Sequence, residues 1–206
     1  MKDFFGGLAP RADEGSVYAL RRKELIESIK TEFSHIQQGI VVLFGAFEQG
    51  SERFRQDKTF FYYTGVNEPG TALVIDLSGK STLYIPNCFE KRAQWLVLPE
   101  ALIKRDAKVL RVDAVELLGD ECAGYELNPY FSEHEYAHMI ARIKDVVARG
   151  GSLCTTAPDN GYEHLSTRFI LGHLHKFIPE LHKSIVDVSE FVAAARRIPI
   201  RPQLIC

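Results

Sequence analysis

The stretch SERFRQDKTFFYYTGVNEP, residues 51–69, decides how this chain is read. Its first part, Ser51-Glu52-Arg53-Phe54-Arg55-Gln56-Asp57, is polar and charged and carries no sustained apolar period. Phe60-Phe61-Tyr62-Tyr63-Thr64 follows at once, an aromatic run with the β propensity of a buried strand. Gly65, Asn67, Pro69 and Gly70 then close the run in turn chemistry. Read this way, a polar loop feeds a strand, and Tyr62 and Tyr63 point to opposite faces of a sheet.

Upstream, Val17, Leu20, Leu25, Ile29 and Phe33 form an apolar stripe among Arg21, Arg22, Lys23 and Glu27, which predicts a helix opening at Ser16 as N-cap. Gly39 breaks the chain before Ile40-Val41-Val42-Leu43-Phe44, a short β-branched run suited to a central strand covered on both faces. Downstream, Ala72–Asp76 and Ser81–Ile85 read as a hairpin joined through Ser78-Gly79-Lys80, with Pro86 ending its second arm. Helices are expected at Glu90–Leu96, which carries the only tryptophan, Trp95, as a core residue, and at Pro99–Lys104. Val115–Leu118 reads as helical, Ser132–Arg149 as a long helix ending at Gly150-Gly151, and Ser152–Thr155 as a strand. Tyr162–Phe177 is a helix, Ser184–Val186 a short strand, and Val188–Arg197 a last helix stopped by Pro199. Strands and helices alternating in this order imply an α/β fold, a layered domain with a central mixed β-sheet flanked by helices. Without repeats or Pro/Ser-rich linkers, residues 1–206 read as a single domain, with 1–15 a loose lead-in and 188–206 a junction helix and tail.

Composition narrows the class. With 46% hydrophobic residues the chain can bury a sizeable core, and a formal charge of −2 argues against nucleic acid or an anionic membrane as partner. No apolar run is long enough to span a bilayer, and the opening MKDFFGG has an early acid and no apolar h-region. Cys88, Cys122, Cys154 and Cys206 are far apart, which favours reduced thiols and makes the cytoplasm the expected compartment.

Two groups of residues could carry chemistry. His134-Glu135-Tyr136-Ala137-His138 is an HExxH pattern, in which two histidines a helical turn apart bind zinc and the glutamate activates water; Glu163 is a conceivable third ligand. Against a zinc site, Ser132 and Glu135 form a capping box, with Phe131 and Tyr136 as its hydrophobic staple. The helix buries Tyr136, Met139, Ile140, Ile143 and Val147, so His134 and His138 fall with Arg142, Asp145 and Arg149 on a solvent face. Cys154 reads as a buried half-apolar residue rather than a nucleophile. The second group is Arg55, Gln56, Asp57, Tyr62, Tyr63 and Glu68. The planar fork of Arg55 suits carboxylates, and an internal Arg55–Asp57 clamp ordering the loop is the favoured reading over direct ligand contact. Glu68 reads as the polar rim of a turn.

Phe54-Arg55-Gln56-Asp57, then Phe61-Tyr62-Tyr63-Thr64-Gly65, then Glu68-Pro69, in this order and spacing, resemble the signature of the aminopeptidase P N-terminal domain, shared more loosely with prolidase and creatinase. The resemblance begins at Arg21-Arg22, is strongest from Phe44 to Trp95, and returns weakly at Val186-Asp187-Val188 and Arg196-Arg197-Ile198. It implies a creatinase-type fold and a domain that shapes oligomers and narrows access to an active site built elsewhere. Intact relatives, by this resemblance, are Xaa-Pro aminopeptidases that cut peptides with proline in second position, using two manganese or similar divalent ions. Their ligands lie in a C-terminal catalytic domain, and no residue here matches them. The expectation is therefore a non-catalytic domain that forms homo-oligomers. A self-sufficient zinc hydrolase and a stand-alone interaction module remain the alternatives.

Overall fold

In the computed structural model, described for residues 14–48, 53–87, 99–120, 133–157 and 164–197, the chain builds one mixed sheet with helices on both faces. Helix α1 (Glu14–Glu32) leads into strand β1 (Gly39–Phe44), the short helix α2 (Lys58–Thr64), and the hairpin of β2 (Ala72–Asp76) and β3 (Ser81–Ile85). Helix α3 (Glu100–Ile103), strand β4 (Ala114–Leu117), a 3₁₀ turn (His134–Tyr136) and helix α4 (Ala137–Ala148) follow. The chain continues through β5 (Ser152–Thr155), α5 (Leu165–Phe177), α6 (Leu181–Ser184), β6 (Ile185–Asp187) and α7 (Ser189–Arg197).

The strand order is β4-β3-β2-β1-β5-β6. Strand β2 is antiparallel to both its neighbours, while the β3–β4, β1–β5 and β5–β6 pairs are parallel. The period of two along β1 divides the interior. Ile40, Val42 and Phe44 face a core shared with Met139, Ile140 and Ile143 of α4 and Ile170, Leu171 and Leu174 of α5. Val41 and Leu43 face the opposite core, with Leu25, Ile26 and Ile29 of α1, Phe60 and Tyr63 of α2, and Val192 of α7. The expected doubly covered central strand is therefore present, and so is the hairpin. Its turn is held by the Asp76 carboxylate, which accepts from the Ser78 and Lys80 amides at 2.9 and 3.0 Å.

Four local expectations are corrected. Phe60–Thr64 is not a strand but the body of α2. Asp57 caps the helix by accepting from the Phe60 amide at 2.9 Å, and Gly65 ends it with φ +67°, its own amide donating back to Phe61 O. Inside this frame Phe60, Tyr63 and Thr64 lie on one buried face, so packing against α1 overrides the aromatic β propensity. Tyr62 and Tyr63 consequently sit on adjoining sides of a helix rather than opposite faces of a sheet. Val115–Leu118 is not helical: β4 pairs in parallel with β3, from Thr82↔Ala114 to Ile85↔Leu117. Ser16 lies inside α1 rather than at its cap. The buried stripe of α1 is Arg22, Leu25, Ile26 and Ile29, rotated so that Leu20 is 44% exposed.

Further along, the α4 stripe holds for Tyr136, Met139, Ile140 and Ile143, with Val146 buried and Val147 packed beside it. The expected helix from Ser132 becomes a 3₁₀ turn followed by α4, with Tyr136 at φ −122°, ψ 15° interrupting the α geometry. Ser132, Phe131, Trp95 and the Glu90–Leu96 segment lie outside the described residues.

Candidate functional site

The signature residues lie on α2 and the loops either side of it, and the polar groups of Gln56, Asp57 and Tyr62 are directed at backbone. Gln56 is the hub. Its Oε1 accepts from the Ala46 amide at 2.6 Å and the Asp57 amide at 2.9 Å. Its Nε2 donates to Glu68 O at 2.9 Å and Val66 O at 3.3 Å. One side chain thus ties together the exit of β1, the start of α2 and the turn that leads to β2, satisfying loop backbone groups that secondary structure leaves open. Thr71 Oγ1 adds a bond to Glu68 O at 2.8 Å, and Gly70 N bonds Ala46 O at 2.9 Å. Glu68 is 7% exposed, so it is a buried member of this junction and not the polar rim that its turn sequence suggests.

Two arginines of α1 hold the other end of α2. Arg21 Nη1 donates to Tyr62 O at 2.9 Å, and its guanidinium lies 3.9 Å from the centre of the Tyr62 ring. Arg22 is 4% exposed; its Nη1 donates to Tyr63 O at 2.9 Å and its Nη2 to Arg111 O. The Tyr62 and Tyr63 carbonyls belong to the last turn of α2, where backbone acceptors lack helical partners and the helix dipole favours cations. Burial lowers the Arg22 pKa to about 10, with the Asp113 charge acting in the opposite direction. Gly65 is locked in the same place: a Cβ there would come within 2.6 Å of the Tyr18 ring, at a φ of +67°.

Arg55, by contrast, is exposed and forms no ion pair with Asp57. The expected Arg55–Asp57 clamp is absent because the Asp57 carboxylate is already engaged as the cap of α2, with His164 Nδ1 at 3.7 Å from its other oxygen. Tyr62 Oη donates to Ala195 O at 3.0 Å, which directs this hydroxyl to α7. Tyr63 is fully buried, and its hydroxyl has no hydrogen-bond partner among the described residues; desolvation raises its pKa well above the ordinary tyrosine value.

Among the described residues, the two HExxH histidines meet no third metal-ligating side chain. His134 stands in the 3₁₀ turn and His138 in the first turn of α4, and both are exposed. Both ring nitrogens of His138 already face acceptors, Leu117 O at 3.1 Å and Asp120 Oδ1 at 3.0 Å. Glu163 lies outside the described residues. Among the described residues no three His, Cys, Asp or Glu side chains converge to hold an ion. Cys154 is fully buried in β5 and burial pushes its thiol up to about 11, which suits a core residue. No described helix is long and apolar enough to cross a membrane.

A second polar tie fixes β4, the strand that sequence periodicity misassigned. The Asp113 carboxylate accepts from Ser81 N at 2.7 Å and Ser81 Oγ at 2.8 Å. The Ser81 amide bond, above all, holds the Asp113 carboxyl below its ordinary 3.8; burial opposes this, while the Ser81 hydroxyl and the charges of Arg22 and Lys80 assist. Because the folded-state value is depressed, the unfolded chain binds the proton more readily. The contribution to stability is therefore present above pH 3.8 and lost as pH falls through the folded-state value. Urea midpoints of the parent and Asp113→Asn, measured from neutral pH downward, are expected to differ at neutral pH and to converge in acid.

Residues 18–119 match the sequence model of the family described as "Aminopeptidase P, N-terminal domain", and this stretch of the chain belongs to that family. The human "Xaa-Pro dipeptidase" is 35% identical over 88 residues, covering 39% of this chain and 18% of the human protein. The "Probable Xaa-Pro aminopeptidase" of Paracoccidioides lutzii is 39% identical over 79 residues, 34% of this chain and 16% of that protein. Among solved structures, Icp55 from Saccharomyces cerevisiae superposes with a TM-score of 0.57 at 18% identity, over 89% of this chain and 37% of that one. Aminopeptidase P from E. coli gives a TM-score of 0.55 at 16% identity, over 86% of this chain and 38% of that one. These structural likenesses establish a common fold that extends beyond the family match. The chain spans under a fifth of these curated relatives and well under half of these solved proteins.

Proposed function

We propose that this chain is the non-catalytic N-terminal domain of an Xaa-Pro aminopeptidase-like metallopeptidase. In this reading it shapes oligomerisation and substrate access for a metal-dependent catalytic domain carried elsewhere in the intact protein. The observation that supports this best is the use of the signature side chains: Gln56, Asp57 and Tyr62 bond to backbone within the fold, and Arg22 of α1 bonds the backbone of Tyr63 in return. Groups committed in this way brace a scaffold and are not free to bind a peptide or a metal. The peptides with proline in second position, the two manganese ions and the cytoplasmic setting belong, in this proposal, to the intact protein.

The test is turnover by the purified chain. Incubated with an Xaa-Pro-containing peptide and added manganese, it is expected to release no N-terminal residue above the buffer control. Metal-dependent turnover that follows the chain through purification and disappears with chelator would overturn the proposal.

A further inference from the structure

Helix α7 is held at its two ends by different physics. At its start Val188 and Val192 are buried in the core, and Phe191 meets Phe33 of the α1 segment edge-on at 5.3 Å. At its last turn the ties to α2 are polar. Tyr62 Oη donates to Ala195 O at 3.0 Å, satisfying a carbonyl that the helix end leaves without an internal partner. Arg196 Nη1 donates to Thr59 Oγ1, in the first turn of α2, at 2.8 Å. Tyr62 is itself preset for this contact: Arg21 bonds its carbonyl and stacks on its ring, and Tyr63 packs against it edge-on at 5.0 Å.

We propose that Tyr62 and Arg196 form a latch that fixes the last turn of α7 to the signature helix and so sets the direction of α7 at its end, Arg197. The aromatic pair of the signature then has separate tasks. Tyr63 fills the core, and Tyr62 orients the end of α7. Use of that direction to place a following domain rests on the proposed function above, whereas the latch is a property of this domain alone.

Amide hydrogen exchange of the full chain tests it. Tyr62→Phe keeps the ring over Arg21 and removes only the hydroxyl, and Arg196→Met keeps the aliphatic stem. The double variant is expected to raise exchange in residues 193–197 by about tenfold or more, with β1 and β2 exchanging as in the parent. Unchanged exchange in 193–197 would overturn the latch. So would an equal rise in β1 and β2, which would mark the two residues as general supports of the core. The readout involves no catalysis, so it stands or falls separately from the turnover assay.

Discussion

Gly119→Ala is expected to destabilise the fold by about 3 kcal/mol, at the upper end of ordinary overpacking, which corresponds to a fall in melting temperature of roughly 6–12 °C for a domain of this size. An added Cβ would lie 2.2 Å from His134 O, 2.6 Å from Glu135 C and 2.7 Å from Glu135 O. All three are backbone atoms of the turn that feeds α4, so no rotamer change relieves the contact. The same junction carries the start of α4: Leu118 O accepts from the His138 and Met139 amides at 3.0 and 3.2 Å. Moving the turn away from residue 119 would stretch these bonds and shift Met139 in the core. Gly172→Ala provides the control of opposite sign. It lies within α5 with nothing within 4 Å of the added methyl, and replacing a helical glycine there is expected to stabilise by roughly 0.5–1 kcal/mol. Thermal melts of the two variants should move in opposite directions.

Gln56→Ala is expected to cost about 2–3 kcal/mol, more than a single hydrogen bond is worth because several polar groups lose their partner together. The variant removes the acceptor for the Ala46 and Asp57 amides and the donor to Val66 O and Glu68 O. Thr71 Oγ1 still reaches Glu68 O, so the second turn is weakened rather than orphaned. Gln56→Glu retains an acceptor toward Ala46 but places a carboxylate oxygen against two carbonyls, and it is expected to destabilise comparably at neutral pH. Since Gln56 anchors the stretch leading to the Asp57 cap, α2 should fray before the sheet does. An intermediate loss of α2 protection in hydrogen exchange would accompany the shift.

What the sequence showed, and what it hid, follows from the range of the interactions. Ile40–Phe44 announces a doubly covered strand because its signal lies within five consecutive residues, and it is buried as expected. The hairpin is equally local, since the turn at Asp76–Lys80 carries its own chemistry. The Phe60–Thr64 run misleads because aromatic β propensity is a surface-packing preference. The frame that decides the matter, Asp57 before and Gly65 after, is also in the sequence and spells a capped helix of two turns. Val115–Leu118 reads as helical because an edge strand beside β3 has only four residues and no clear period. At the site, Asp57 and Gln56 could be singled out but not assigned. Asp57 acts as a cap instead of a partner for Arg55, and the contacts of Gln56 reach residues 46, 66 and 68 through the folded loop. Arg22 was hidden for a different reason: a charged residue in the buried stripe of a helix contradicts the amphipathic pattern until its carbonyl partners, Tyr63 and Arg111, are brought to it.

If the signature braces the domain from within, the unfolding curves of Gln56→Ala and Arg55→Ala must separate. The two residues are neighbours in the signature, but Gln56 bonds to four backbone groups while Arg55 faces solvent. Gln56→Ala is expected to lower the denaturant midpoint by the equivalent of about 2–3 kcal/mol, while Arg55→Ala stays within about 0.5 kcal/mol of the parent. Equal midpoints for Gln56→Ala and the parent, or an Arg55→Ala loss as large as that of Gln56→Ala, would contradict it.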